Sequence, residues 1–218
     1  MCSLKAIIFD MDGVLLLSDS VHDYAYRKTL EEVGVNDFCY SRFAGMRTDE
    51  SIKIILQENN INVSSEMVSQ LVKRKRYLSN KRLKENVPLA SGCKQILNAF
   101  SSKFKLALVS SASVKNVELF LNASECMELF DVIVNGEDVK KAKPDPAIYL
   151  LALSRLKLQA KECLVVEDAV NGIVSAKAAG IAVCGIPGGA SREDLLNAGA
   201  DMVLENIKGL LEELGAAE

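Results

Sequence analysis

The stretch "AIIFDMDGVLLLSDS", running from Ala6 to Ser20, decides the fold. Four apolar residues run into two acids standing one residue apart. A carboxylate at the mouth of a buried strand costs stability unless something neutralises it. Along extended backbone Asp10 and Asp12 project to the same side, and Gly13 lets the chain turn away beneath them. The two acids can therefore address one ligand, provided that further strands build a sheet around the first.

Such strands are legible downstream. "KLALVS", "DVIVNG", "ECLVVE", "IAVCGI" and "ADMVLE" follow in order, each set off from the next by a helical stretch. This alternation predicts an α/β fold, a Rossmann-like three-layer core with a parallel sheet between helices. The alternation breaks once. After the first strand come only helix-like segments, "DYAYRKTLEEVG", "TDESIKIILQEN" and "SEMVSQLVKRKRYLSNKRL". They predict a small α-helical cap domain over residues 16–87, inserted into a core made of residues 1–15 and 88–218. Thr48 to Ser51, and Ser64 and Ser65 ahead of Met67, offer helix-capping patterns. "PGGAS" at Pro187 to Ser191 lacks the spacing of a dinucleotide fingerprint and reads as a loop into a helix capped by Ser191.

Composition removes several classes of function. The 218 residues suit one core with a modest insertion, and 49% hydrophobic with 25% charged residues is ordinary for a globular protein. A net charge of -3 gives no reason to expect nucleic acid as a partner. No apolar run approaches the roughly 20 residues of a spanning helix, and no export signal is evident, so no membrane partner and a cytoplasmic location are expected. A monomer is expected as well. The scattered cysteines, Cys2, Cys39, Cys93, Cys126, Cys163 and Cys184, form no C-x-x-C pair and read as reduced packing residues.

In an open parallel sheet, ligands gather beyond the carboxyl ends of the strands. The first strand delivers Asp10 and Asp12 there, the second Ser110, and the fourth Glu167 and Asp168. After the third comes Lys143 in "KKAKPDP", next to a proline suited to open a helix. Four acids brought together repel one another without a cation, and hard oxygen ligands favour Mg2+. One acid would then attack phosphorus. Asp10 would form an aspartyl phosphate, Asp12 would protonate the leaving oxygen and later deprotonate water, Ser110 would donate a hydrogen bond to the phosphoryl group, and Lys143 would draw off its charge.

Together these motifs resemble the haloacid dehalogenase superfamily, in its phosphatase and β-phosphoglucomutase-like branch with a helical cap. "DMDGVL" looks like the first motif of that family, "LALVS" the second, the lysine of "KAKPDP" the third and "VVEDAVNGIVSAKAAG" the fourth. The resemblance implies a mobile cap, Asp10 as nucleophile, and magnesium held by Asp10, the Asp12 main-chain carbonyl and Asp168, with Glu167 assisting. It also implies substrate contacts at Gly45 of "FAGMRTDES", at Arg47, at His22 near the cap hinge, at Lys75 within an otherwise solvated basic helix, and at Ser111 and Ala112 after the second strand. The branch usually has an aspartate where Leu17 stands. The lysine and arginine that mutases place around the glycine appear here as Ala44 and Thr48, which favours hydrolysis. The expected function is a Mg2+-dependent phosphomonoesterase acting on a small phosphorylated metabolite such as a sugar phosphate. The alternatives are a hexose-phosphate mutase and a non-catalytic protein that binds phosphorylated ligands.

Overall fold

The computed structural model describes residues 4–62 and 64–215, so Cys2 lies outside the described residues. Six parallel strands form one sheet: β1 (Ala6–Asp10), β2 (Lys105–Val109), β3 (Val132–Val134), β4 (Cys163–Glu167), β5 (Ala182–Gly185) and β6 (Met202–Val203). Their order is β3-β2-β1-β4-β5-β6. The chain thus builds outward from β1 on one side, then returns to add β4 on the other. This reversal opens a crevice at the carboxyl end of β1, where open α/β sheets bind ligands.

β1 is apolar on both faces because both faces are covered. Ile7 and Phe9 pack with helices α4 (Cys93–Ser101) and α5 (Val114–Ser124), and the short α9 (Gly209–Glu213) contributes Leu210 to the same layer. Ala6 and Ile8 face the opposite layer, built from α6 (Ala147–Leu156), α7 (Val170–Ala178) and α8 (Arg192–Asn197). Side chains of that size each stabilise by roughly 1.5–3 kcal/mol on full burial. The register sets Asp10 level with Val109, and Phe9 level with Val166 of β4. Ser110 and Glu167 therefore arrive at the same sheet edge as Asp10.

Between β1 and β2 lie α1 (Asp19–Leu30), α2 (Thr48–Glu58) and α3 (Ser65–Glu85), packed on a separate core of Tyr26, Leu30, Ile52, Leu56 and Leu71 among others. Ser64 caps α3 by accepting from Met67 N at 3.1 Å, and Ser191 with Asp194 closes a capping box on α8. Two local expectations fail. Thr48 is the first residue of α2 rather than its cap, since Arg47 holds that position in extended conformation and Ser51 donates back to the Arg47 carbonyl. Pro144 does not open a helix: it follows a cis peptide bond after Lys143, and α6 begins only at Ala147, whose N–H is taken by Asp145. α1 begins at Asp19, four residues before the segment read from sequence, and so carries both Asp19 and His22 toward the strand ends. Among the described residues Cys93, Cys126, Cys163 and Cys184 are buried free thiols and Cys39 is an exposed one. No helix among them is long and apolar enough to cross a membrane.

Candidate active site

The strand ends converge on one lysine. Lys143, wholly buried, donates to Asp10 Oδ1 at 2.5 Å and to Glu167 Oε1 at 2.6 Å. Tyr149, one turn into α6, donates its hydroxyl to the same Glu167 oxygen at 2.8 Å. The other Glu167 oxygen accepts the backbone N–H groups of Asp168 and Ala169 at 3.1 and 3.2 Å. This carboxylate is therefore fully committed to orienting Lys143. Its space is reserved by Gly172, where a Cβ would fall 1.8 Å from Glu167 Oε1.

Charge is unbalanced around that lysine. One oxygen each from Asp10, Glu167 and Asp168 can be chosen within 4.8 Å of one another, and all three residues are buried. Burial pushes the Asp10 carboxyl well above the usual range, and Glu167 and Asp12 add to this while Lys143 pulls it back. Burial, then Glu167, Asp10 and Asp19, push Asp168 well above its usual range. No donor among the described residues reaches the Asp168 carboxylate. Burial works against the Lys143 charge, yet Asp10 and Glu167 hold its proton well above the ordinary lysine value. One ammonium facing three clustered carboxylates leaves room for a second cation, and an all-oxygen donor set suits a hard divalent ion such as Mg2+. Gly13 brings the backbone against this cluster: at φ +82° it has no side chain, and a Cβ there would lie 1.9 Å from Asp168 Oδ2.

Asp12 belongs to a different network, on the cavity side. Its Oδ1 accepts from Ser18 at 2.5 Å and pairs with His22 Nε2 at 3.0 Å, and Ser110 donates weakly to Oδ2 at 3.4 Å. His22 Nδ1 faces Lys75 Nζ at 3.0 Å. An ammonium can only donate, so Nδ1 accepts and the proton of a neutral ring sits on Nε2, directed at Asp12. Burial and then the Lys75 charge hold His22 below its ordinary value, consistent with a neutral ring. Burial opposes ionisation of Asp12, but the His22 and Ser18 hydrogen bonds outweigh it and hold the carboxyl below the usual range. Lys75 is itself pushed down to about 8, chiefly by burial.

A cavity of about 60 Å³ lies between the strand ends and the helical segment. Asp10, Asp12, His22, Gly45, Lys75, Ser110, Ser111 and Ala112 all line it. Lys143, Glu167 and Asp168 do not line it and reach it through Asp10. The helical segment is drawn down on the core by Ser111, which donates to the Gly45 carbonyl at 2.6 Å, and by Asn171, which donates to the Arg42 and Ala44 carbonyls. Arg47 lies elsewhere. Its guanidinium is held by Asp49 and Glu50 and by the carbonyls of Val139 and Lys140, so it ties α2 to the core instead of entering the cavity.

Four residues escaped the sequence reading. Tyr149 orients Glu167, Arg76 and Asn116 line the cavity, and Asp19 is pushed up to about 6 by burial and by Asp12. Leu17, at the position where an acid was expected, is half exposed at 51%. Asp19, two residues on, is an acid whose charge Asp168 feels after those of Glu167 and Asp10.

Residues 7–186 match the haloacid dehalogenase-like hydrolase family. A phosphorylated carbohydrates phosphatase of Thermotoga maritima is 35% identical over 182 residues, which is 82% of this chain and 82% of that protein. The crystal structure of a β-phosphoglucomutase from Clostridium difficile superposes with a TM-score of 0.86 at 26% identity, covering 97% of this chain and 96% of that one. CbbY from Rhodobacter sphaeroides, solved in complex with phosphate, superposes with a TM-score of 0.79 at 28% identity, covering 95% and 96% of the two chains.

Proposed function

This chain belongs to the haloacid dehalogenase-like hydrolases and is an enzyme of their phosphatase type, and from that premise we propose that it is a Mg2+-dependent phosphomonoesterase acting on a small sugar phosphate through an aspartyl phosphate on Asp10. The observation that carries the reading is the position of Asp10: it is the member of the buried acid cluster that also lines the cavity, and Lys143 grips one of its oxygens. Asp10 and Asp168 are the groups that would hold the metal from their side chains. Bound there, the metal would offset the clustered negative charge and draw charge from the phosphoryl oxygens.

The remaining steps use side chains already in place. The Asp10 oxygen that Lys143 leaves free attacks phosphorus, a P–O bond forms, and the ester P–O bond breaks. Asp12, ionised in the free protein, takes the proton of the bound ester's monoanion and gives it to the departing oxygen. In the second step Asp12 takes a proton from water as the water oxygen attacks phosphorus, and the bond to Asp10 breaks to release inorganic phosphate. Ser110, which also accepts the Ala112 N–H at 3.0 Å, is placed to donate to the transferring group. Lys143 offsets the charge that accumulates beside Asp10. The sugar phosphate is suggested by the Thermotoga maritima relative.

A hexose-phosphate mutase would use the same groups, and the likeness to a β-phosphoglucomutase supports that second reading. The test is incubation with Mg2+ and a panel of sugar phosphates, including β-glucose 1-phosphate with a trace of bisphosphate. Free phosphate released in proportion to ester consumed is the expected result. Glucose 6-phosphate accumulating without free phosphate would replace the hydrolase with the mutase.

The contact from Lys75 through His22 to Asp12 gives this chemistry a pH signature. The Lys75 ammonium titrates near 8 in the folded protein against an ordinary 10.5. Between those values the unfolded chain binds more protons, so the contribution of this group to stability rises with pH over that window. Activity is expected to move the other way. Losing the ammonium weakens the polarisation of His22 and its grip on Asp12, so kcat should decline along a basic limb centred near pH 8. A kcat profile from pH 6 to 10 on the wild type and on Lys75→Met checks this: the variant should lack that limb, and an identical limb in both proteins would exclude Lys75 as its source.

A further inference from the structure

The loop "PGGAS" after β5, from Pro187 to Ser191, carries two glycines that its backbone does not require. Neither Gly188 nor Gly189 takes the left-handed conformation that Gly13 and Gly45 take. What they provide is room for a close approach. A Cβ on Gly189 would stand 3.2 Å from Asp19 Oδ2. A Cβ on Gly188 would stand 3.4 Å from the same oxygen, 3.8 Å from Asp168 Oδ2 and 3.8 Å from the Gly13 carbonyl oxygen. Gly188 thus leaves a hollow faced by three oxygens, two of them from carboxylates.

An acid in the first turn of α1 suits the helix dipole, and that alone would explain Asp19 as a surface group. Its surroundings are not those of a surface group. Asp19 is partly buried, forms no ion pair among the described residues, and feels the Asp12 charge, with the Gly189 backbone as its compensating neighbour. Lys208 lines the same groove at the hinge without pairing with it. Asp168 is 2% exposed, and no hydrogen bond among the described residues reaches its carboxylate. Two carboxylates facing one small space repel each other, and a cation with its water is what reconciles them.

Asp19 stands outside the compact donor set, since the oxygens within 4.8 Å of one another come from Asp10, Glu167 and Asp168. Mg2+ keeps several of its waters, and groups beyond the direct ligands orient and hold that shell. The hollow also opens away from the substrate cavity. Gly13, Asp19 and Gly188 line a groove of about 560 Å³ at the hinge, whereas Asp10, Asp12 and Ser110 line the cavity. We infer that Asp19 anchors the metal site from outside: across the hollow beside Gly188 it accepts hydrogen bonds from water on the divalent cation, and so sets Mg2+ affinity without meeting the substrate. The inference rests on the reading that Asp10 and Asp168 hold Mg2+, and adds to it a positioning residue on the hinge side.

Titration of the metal-free, full-length protein with Mn2+, followed by the EPR signal of the free ion and by competition with Mg2+, reads affinity with no turnover. Asp19→Asn should weaken binding by about 10–100-fold, the usual size of a lost partner beyond the direct ligands. Gly188→Ala keeps every charge and meets no atom closer than ordinary contact, yet it puts a methyl group into the hollow. It should weaken binding by a similar factor, and it stands in should Asp19→Asn fold poorly, which metal-free melting temperatures reveal. In turnover assays the Mg2+ concentration giving half-maximal rate should rise by the same factor, while KM for the ester at saturating Mg2+ stays near that of the wild type.

Asp168→Asn is the reference for a lost direct ligand. A loss in Asp19→Asn as complete as in Asp168→Asn would make Asp19 a direct ligand, and weakening by Asp19→Asn but not by Gly188→Ala would reduce it to a distant charge. Wild-type affinity in both variants would remove it from the metal site. Each of these results overturns the inference and leaves the metal with Asp10 and Asp168. A wild type that binds neither ion, or binds them no better than Asp168→Asn does, removes the metal reading itself and the inference with it.

Discussion

Asp10→Asn is expected to lower phosphate release by on the order of 10⁵-fold or more in kcat, the scale seen when an essential nucleophile is removed. The same substitution should make the metal-free protein more stable. An amide oxygen is a poor nucleophile toward phosphorus, and no other described carboxylate occupies the place of Asp10: Asp12 is held by Ser18 and His22, and Glu167 is committed to Lys143, Tyr149 and two backbone N–H groups. The stability sign follows from the raised carboxyl of Asp10, whose cause is burial first and then Glu167 and Asp12. A carboxyl with a folded pKa above its unfolded one contributes stability at low pH and loses it as pH rises through the folded value. At neutral pH a neutral isostere at residue 10 avoids that loss, and each kcal/mol recovered should raise Tm by about 2–4 °C in a chain of this size. Malachite-green phosphate assays and thermal melts with and without Mg2+ check both halves. The expected pattern is an inactive protein with a higher metal-free Tm and a smaller shift on adding Mg2+. Residual turnover within tenfold of the wild type would remove Asp10 as the nucleophile.

That trade of stability for chemistry was half legible in the sequence. Asp10 and Asp12 at the end of an apolar run, and Glu167 and Asp168 at the end of another, announce themselves because strand period and charge conflict at those positions. Lys143 could be placed beside them because it follows a strand of the same sheet. Tyr149, Arg76 and Asn116 carry no such conflict. Each sits on a helix, where a polar residue is unremarkable until packing shows which face meets the cavity, and α3 meets the start of α5 only through tertiary structure. Arg47 misled for the opposite reason: it neighbours Gly45 in sequence, but Asp49 and Glu50, two and three residues on, capture its guanidinium locally. Legible chemistry came from strand ends, where topology fixes direction, and illegible chemistry from helix faces and loops, where it does not.

Lys143→Met should produce the largest loss of stability of any single substitution in the site, about 3–5 kcal/mol, together with loss of activity. The lysine is wholly buried and bridges Asp10 to Glu167, so methionine fills its volume but leaves two carboxylates facing each other with Asp168 beside them. Removing one partner of a buried pair is far more costly than replacing both, because the remaining charge has no solvent to turn to. The pH dependence carries the diagnosis. In the wild type, Lys143 keeps its proton well above the ordinary lysine value, so its contribution is present throughout the neutral range and lost only in strong alkali. In Lys143→Met the clustered acids rise further, so the destabilisation should be worst at high pH and shrink as pH falls toward 4 and protons replace the missing ammonium. Urea melts from pH 4.5 to 8 on both proteins measure this difference directly. Adding Asp10→Asn to Lys143→Met should restore part of the lost stability, a coupling that independent sites would not show. Additive losses, or a deficit that does not change with pH, would mean that the methionine acts through packing and that Lys143 does not neutralise the cluster.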